Sequence, residues 1–229
     1  MSNNPSPAPQ PPPSGDPREG DCRPWETRRG LLVAVAAPSG AGKTTLCVRM
    51  TQRFPALRYA ISCTTRPPRK GEVDGEHYHF VSQARFQEMV GGGEFLEWAV
   101  VHGHFYGTPK AEVDAMRDRG GDVLLDLDVQ GVESIRSIKY IDAVFCLILP
   151  PTYAVLRERL GTRGKDSPEE IERRMTIAVK EIARYELFDY VIVNDDLEEA
   201  ATQLESVIRA EHARRTRLNA DWYRSTFFR

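Results

Sequence analysis

The densest chemistry in the chain lies in Ala37-Pro38-Ser39-Gly40-Ala41-Gly42-Lys43-Thr44, followed by Thr45. The spacing is that of G-x-x-x-x-G-K-[ST], with alanine in the first place. In such a loop successive backbone N–H groups converge on phosphate oxygens, and the next helix adds the positive end of its dipole. Lys43 is expected to reach the β- and γ-phosphates of a nucleoside triphosphate, and the Thr44 hydroxyl to ligate Mg²⁺. Gly40 and Gly42 supply backbone freedom, whereas alanine at 37 obliges the first bend to use ordinary geometry. A tight strand-to-helix turn without a ligand is the plainer alternative, but G-K-T-T between a buried strand and a helix is specific. ATP or GTP binding is therefore expected. No N-K-x-D of the GTPase kind occurs, and a second set of anion-binding side chains downstream favours a kinase over a hydrolase.

That second set begins with Arg66 and Arg69, three residues apart, which can fork onto a dianionic phosphate. The hydroxyls of Tyr78 and Tyr106 can complete its shell. Asp126 closes a short apolar run, where a carboxylate holds Mg²⁺ through water in many nucleotide sites or simply caps the next helix. Arg159 and Arg163 stand at i and i+4 and share a helix face. His77/His79 and His102/His104 have strand spacing but no third ligand type beside them, so they are not read as a zinc site.

The elements that must position these groups are legible. Leu31 to Ala36, Val123 to Leu127, Ala143 to Leu149 and Tyr190 to Val193 are continuous apolar runs, as expected of strands buried on both faces of a parallel sheet. Helical patterns alternate with them over Lys43 to Arg53, Val129 to Ser137, Tyr153 to Leu160, Pro168 to Leu187 and Leu197 to Arg214. The alternation implies an α/β, doubly wound core. Ser167-Pro168-Glu169-Glu170 reads as a helix start, with a serine cap and proline in the first turn. Residues 58–108 break the rhythm with period-two alternation, turn signals at Val73-Asp74-Gly75 and His102-Gly103, and one short helix from Ser82 to Val90. They read as a small, mostly antiparallel insertion whose presence makes a cleft at the strand carboxyl ends. The core then comprises 30–57 and 109–213.

The chain has 229 residues, a formal net charge of -2 and an apolar fraction of 41%. The charge balance argues against a general nucleic-acid binder, and no apolar run is long enough for a membrane helix. Asp16, Glu19 and Asp21 near the amino terminus, without an apolar segment, do not read as a secretory signal. Cys22, Cys47, Cys63 and Cys146 lack C-x-x-C spacing and read as reduced thiols of a cytoplasmic protein. Residues 1–29 hold 8 of the 16 prolines and read as a disordered tail. Residues 214–229 are basic and aromatic, expected to pack onto the body or to meet an anionic partner or a second subunit, so a homo-oligomer stays open.

Ser62-Cys63-Thr64-Thr65-Arg66-Pro67-Pro68-Arg69-Lys70-Gly71-Glu72-Val73-Asp74-Gly75, then Tyr78-His79-Phe80, Gly93-Glu94-Phe95-Leu96-Glu97-Trp98-Ala99, Tyr106-Gly107-Thr108 and Leu125-Asp126-Leu127-Asp128-Val129-Gln130-Gly131 follow one another in order. With the phosphate loop, these blocks resemble the guanylate kinase family from about Gly30 to Glu205. The resemblance implies Mg-dependent transfer of the ATP γ-phosphoryl group to GMP, with dGMP as a further acceptor. It implies that Arg66, Arg69, Tyr78 and Tyr106 hold the GMP phosphate. Glu97 would accept from guanine N1–H and the exocyclic amine, with Thr108 and Ser62 at the base edge and Asp128 on the guanine side. A mobile helical lid at about 158–175 would bring Arg159, Arg163 and Arg174 onto phosphate, alongside Lys43 and Arg66. Asn194 would contact adenine, while Asp195 or Asp196 caps the next helix. Two other readings stay open: a catalytically silent guanylate-kinase-like module that binds phosphopeptides, and a P-loop kinase of a phosphorylated sugar.

Overall fold

Leu31, Leu32, Val33, Ala34, Val35 and Ala36 are all fully buried, because the strand they form is covered on both faces. In a computed structural model of the chain, which describes residues 29–101, 103–138, 141–162 and 167–228, this strand is β1 (Leu32–Ala36). It leads through the phosphate loop into α1 (Lys43–Arg53) and β2 (Leu57–Tyr59). A smaller set follows: β3 (Cys63–Thr64), β4 (His79–Phe80), α2 (Gln83–Gly91), β5 (Phe95–Val101) and β6 (His104–Pro109). The chain then returns through α3 (Lys110–Asp118), β7 (Asp122–Leu127), α4 (Val129–Arg136) and β8 (Ala143–Leu149). After them come α5 (Tyr153–Gly161), α6 (Pro168–Ile182), β9 (Tyr190–Val193), α7 (Leu197–His212) and α8 (Ala220–Phe227).

Five strands make a parallel sheet in the order β2-β7-β1-β8-β9. On one face Val33, Val35, Leu124, Cys146 and Ile148 pack with Leu46, Cys47 and Met50 of α1 and Ala200, Leu204 and Ile208 of α7. On the other, Leu32, Ala34, Leu125 and Phe145 pack with Val113 of α3 and Val132 and Ile135 of α4. Cover on both sides is why these strands read as unbroken apolar runs.

The second sheet has the order β4-β3-β6-β5. It is antiparallel at β3/β6 and β5/β6 and parallel at β3/β4. Phe86 of α2 stacks on Phe95 at 4.5 Å and closes this layer's own core with Cys63 and Met89. Three features differ from the sequence reading. β2 straddles position 58 and belongs to the core sheet, paired with β7, although three residues are too few to show a period. α3 was not foreseen as a helix, because Pro109 and its charged start mask the pattern. The expected helix over Pro168 to Leu187 ends at Ile182, and Tyr185–Leu187 form a separate 3₁₀ turn.

Helix starts are capped by side chains at the sheet's loop end. Asp128 accepts from Gly131 N–H at 2.8 Å, Thr152 from Val155, Ser167 from Glu170, and Asp196 from Glu199 at 2.9 Å. Arg217 is buried against Asp142 at 2.6 Å, whereas Tyr223, Phe227 and Phe228 of the last helical turns are exposed. The carboxy-terminal segment is thus fastened at its root and presents its rings to solvent. The proline-rich tail, apart from Arg29, lies outside the described residues.

Leu204→Ala should lower the unfolding free energy by about 2–5 kcal/mol, the cost of a large-to-small change in a packed core. Denaturant titration checks this; kcat and KM measured well below the melting temperature should stay as in the unsubstituted chain.

Candidate active site

The phosphate loop is bent by two left-handed residues, Gly40 at φ 94° and Gly42 at φ 88°. Gly42 stands immediately before α1 with no side-chain cap. A Cβ there would lie 2.4 Å from Asn194 Nδ2, so both the backbone angle and the close neighbour require glycine. The first N–H groups of α1 are left to face the cleft. Thr44 and Thr45 are exposed at its start.

Lys43 runs back over the sheet and donates to Leu127 O at 2.5 Å. It also pairs with Asp126 Oδ1. The other carboxylate oxygen accepts from the Tyr59 hydroxyl at 2.5 Å. Parallel pairing of β1 with β7 sets Val35 beside Asp126, which is why groups 83 positions apart in sequence meet at one sheet end. Burial works against the Lys43 ammonium, yet the Asp126 charge and hydrogen bond hold its pKa above the ordinary lysine value. Burial, and then Asp126, push the Tyr59 hydroxyl well above its usual range. Tyr59 was not singled out from the sequence, because it sits on a strand too short to show its facing.

Arg66 is buried, and both of its terminal nitrogens are already engaged. Nη2 donates to Glu72 at 2.8 Å and Nη1 to Pro67 O at 2.7 Å. Its guanidinium lies 5.5 Å from the Tyr78 ring centre, and Tyr78 packs edge-on to Tyr106 at 5.9 Å. Glu72 also accepts the Arg69 backbone N–H at 2.6 Å, while the Arg69 side chain is exposed. Arg66 accordingly holds the Glu72 carboxyl below its usual pKa. Glu72 is a second residue the sequence reading passed over: an acid in a turn looks solvated until the fold lays it on an arginine.

The β5–β6 hairpin sets Glu97 opposite Thr108. Both are buried, and Thr108 Oγ1 donates to Glu97 Oε1 at 2.6 Å. Glu97 Oε2 lies where a side chain on Gly131 would come within 3.0 Å, so α4 closes down on the carboxylate. Burial pushes the Glu97 carboxyl up to about 7, with Asp128 adding to it and the Thr108 hydrogen bonds opposing. Asp128 caps α4 beside it, and Ser62 is half-buried just before β3.

Among the lid arginines, Arg159 Nη1 donates to Asn194 O at 3.0 Å, and Arg174 Nη2 donates to Ser39 Oγ of the phosphate loop. Arg163 lies outside the described residues. Arg157 and Arg173 pair with Glu172 and Glu170 on the exposed surface of the helices. Asn194 braces the loop. Its side chain, expected beside adenine, is buried and donates to Ala41 O at 2.8 Å, bracing the loop from behind.

A parallel sheet carrying a phosphate loop, a small sheet with a basic-tyrosine cluster and a buried carboxylate, and a pair of arginine-bearing helices define a P-loop phosphotransferase. A family model described as Guanylate kinase matches residues 29–211. The chain is 47% identical over 191 residues to guanylate kinase of Carboxydothermus hydrogenoformans, covering 83% of this chain and 93% of that protein. It is 47% identical over 190 residues to guanylate kinase of Rhodopseudomonas palustris, covering 83% and 86%. A crystal structure of guanylate kinase from Anaplasma phagocytophilum superposes with a TM-score of 0.72 at 30% identity, covering 88% of this chain and 97% of that one. The chain belongs to the guanylate kinase family.

The Glu97 environment has a stability consequence. With its folded pKa raised from 4.5 to about 7, the unfolded chain loses this proton first as pH rises. Stability therefore falls between about pH 4.5 and 7, by up to about 3 kcal/mol. Glu97→Gln should melt higher than the unsubstituted protein at pH 8, and the two should converge at pH 4.5. Thermal melts of the ligand-free proteins at both pH values check this.

Proposed function

We propose that this chain catalyses transfer of the γ-phosphoryl group of ATP to GMP, giving ADP and GDP. The observation that carries the reading is Glu97, buried with Thr108 and near Asp128, which also acts on Lys43 of the phosphate loop. Guanine offers two donors, N1–H and the exocyclic amine, to such a carboxylate. Adenine would set a lone pair against it and leave it unsatisfied, a penalty of about 1–3 kcal/mol or more. Family membership supports the same acceptor.

Arg66, Arg69, Tyr78 and Tyr106 fit the GMP phosphate, and Lys43 with the loop amides fits the β- and γ-phosphates of ATP. Two anions must approach each other, so positive charge from Lys43, Arg66 and the lid arginines Arg159, Arg163 and Arg174 offsets their repulsion and the charge that grows on the transferred group. No general base is assigned, since the attacking phosphate oxygen of GMP is already ionised. Thr44 and Asp126 offer one hydroxyl and one carboxylate, hard oxygen donors suited to Mg²⁺ that keeps water and phosphate oxygens around it. Both Asp126 oxygens already carry partners, Lys43 and Tyr59, which favours contact through water. Mg²⁺ bound there would draw charge from the phosphate oxygens. A cytoplasmic setting is part of the same proposal; no helix among the described residues is long and apolar enough to cross a membrane.

The silent-module reading is disfavoured by an intact ATP half, with Lys43 held on Asp126. The sugar-phosphate reading leaves the buried Glu97 with nothing to recognise.

An ADP-release assay with ATP and Mg²⁺ should show turnover with GMP and none of comparable rate with AMP, CMP or UMP; silence with all four returns the weight to the other two readings. Lys43→Ala should lower kcat by about 10²–10³-fold or more, as loss of a charge-stabilising donor does, with GMP binding retained in calorimetry. Glu97→Gln should raise KM for GMP at least about tenfold, the factor that 1.4 kcal/mol provides, and leave KM for ATP within twofold.

A further inference from the structure

Glu72 makes three hydrogen bonds around one turn. Oε1 accepts from Arg66 Nη2 at 2.8 Å, and Oε2 accepts from the Arg69 backbone N–H at 2.6 Å. The Glu72 backbone N–H in turn donates to Arg69 O at 3.0 Å. The turn from Arg69 to Glu72 is thereby closed twice, once through the main chain and once through a carboxylate. The same carboxylate ties that turn to the arginine before it.

Arg66 is held from other sides too. Nη1 donates to Pro67 O at 2.7 Å, and the guanidinium lies 5.5 Å from the Tyr78 ring centre and 5.8 Å from that of Phe80. A terminal guanidinium nitrogen carries two N–H groups, so these bonds fix the plane of the group without using every donor. The Arg69 side chain, by contrast, is exposed. The Glu72 side chain is only 17% exposed, beside 10% for Arg66. Their hydrogen bond holds the Glu72 carboxyl below its usual pKa, against the opposing effect of burial. An anion is therefore built into the cluster that the reading above gives to the GMP phosphate.

That placement has two opposed consequences. Glu72 stands one guanidinium away from any phosphate that Arg66 binds, so its charge repels that phosphate and weakens its binding. The same charge keeps Arg66 oriented, and a donor already in place needs no reorganisation when charge shifts during transfer. Removing the charge should therefore move affinity and turnover in opposite directions.

On the kinase reading above, we propose that Glu72 is a positioning residue for the phosphoryl acceptor. It fixes Arg66 and the Arg69 turn for transfer while weakening the binding of the GMP phosphate.

The test combines calorimetric titration of the full chain with GMP and steady-state turnover with ATP, GMP and Mg²⁺. Glu72→Gln removes the charge and keeps the size of the side chain. It should bind GMP about two- to fivefold tighter, as expected of a partly screened unit charge one guanidinium away. Its kcat should fall about ten- to a hundredfold, the scale on which a misplaced group slows a reaction, with KM for ATP within twofold. Glu72→Asp keeps the charge but is one methylene too short to span both partners; it should lose kcat without the gain in GMP affinity. A purely structural role would weaken binding and turnover together, and a solvated surface pair would change neither. Affinity that does not rise in Glu72→Gln, or kcat that does not fall, overturns the proposal. The unsubstituted chain supplies an arm that needs no variant: NMR should resolve separate Nη1 and Nη2 signals for Arg66, since a held guanidinium rotates slowly. Averaged signals overturn the proposal. GMP turnover by the unsubstituted chain separates the two readings, because its absence removes the kinase assignment, while normal turnover with affinity and kcat falling together in Glu72→Gln removes the positioning role alone.

Discussion

The half-buried contact of Lys43 with Asp126 and Leu127 O is the constraint on which the rest of the site depends. An ammonium in the low-dielectric end of a sheet is tolerable only when its charge is paired and its protons are placed. Pairing requires β1 and β7 to be neighbours in parallel register, since only then do the loop after one strand and the carboxylate at the end of the other coincide. Tyr59, on the far neighbour β2, then fixes the second carboxylate oxygen. Three strands from separate parts of the chain therefore converge on one ion pair, and the phosphate loop is the turn that lets Lys43 reach it.

The same physics runs in the opposite sense in the base pocket. Among the described residues no cation pairs with the buried Glu97, and the Thr108 hydroxyl is its side-chain donor. The fold accepts a carboxylate whose ionised form is disfavoured, and the residue responds by holding its proton to about pH 7. A base that brings two N–H donors relieves that cost, so selectivity and local instability have one origin. Glu97 and Thr108 face each other because the hairpin pairs them, and Gly131 leaves space for the carboxylate beneath α4.

Around these two charges the phosphate loop is braced rather than free. Asn194 supports Ala41 from behind, and Arg159 returns to the Asn194 carbonyl. Arg174 holds the Ser39 hydroxyl from the front. Each brace comes from an element late in the chain, β9 or the α5–α6 pair, so the loop's shape is set by residues far from it in sequence. The glycines at 40 and 42 permit that shape through their positive φ, and the late elements select it.

The doubly wound core was legible because apolar runs such as Leu31 to Ala36 and Val144 to Ile148 are the necessary composition of strands covered on both faces. The phosphate loop was legible because its chemistry is contiguous: glycines, lysine and threonine act within a single turn. The Glu97 and Arg66 roles came from the order of blocks that resemble a family, since nothing local distinguishes Glu97 from a surface glutamate. Only the tertiary structure decided which charges meet. Glu72 on Arg66, Tyr59 on Asp126, Arg174 on Ser39 and Asn194 behind Ala41 are contacts across 6, 67, 135 and 153 positions. Pairing at those separations is fixed by sheet order and helix packing, which no local pattern of residues encodes.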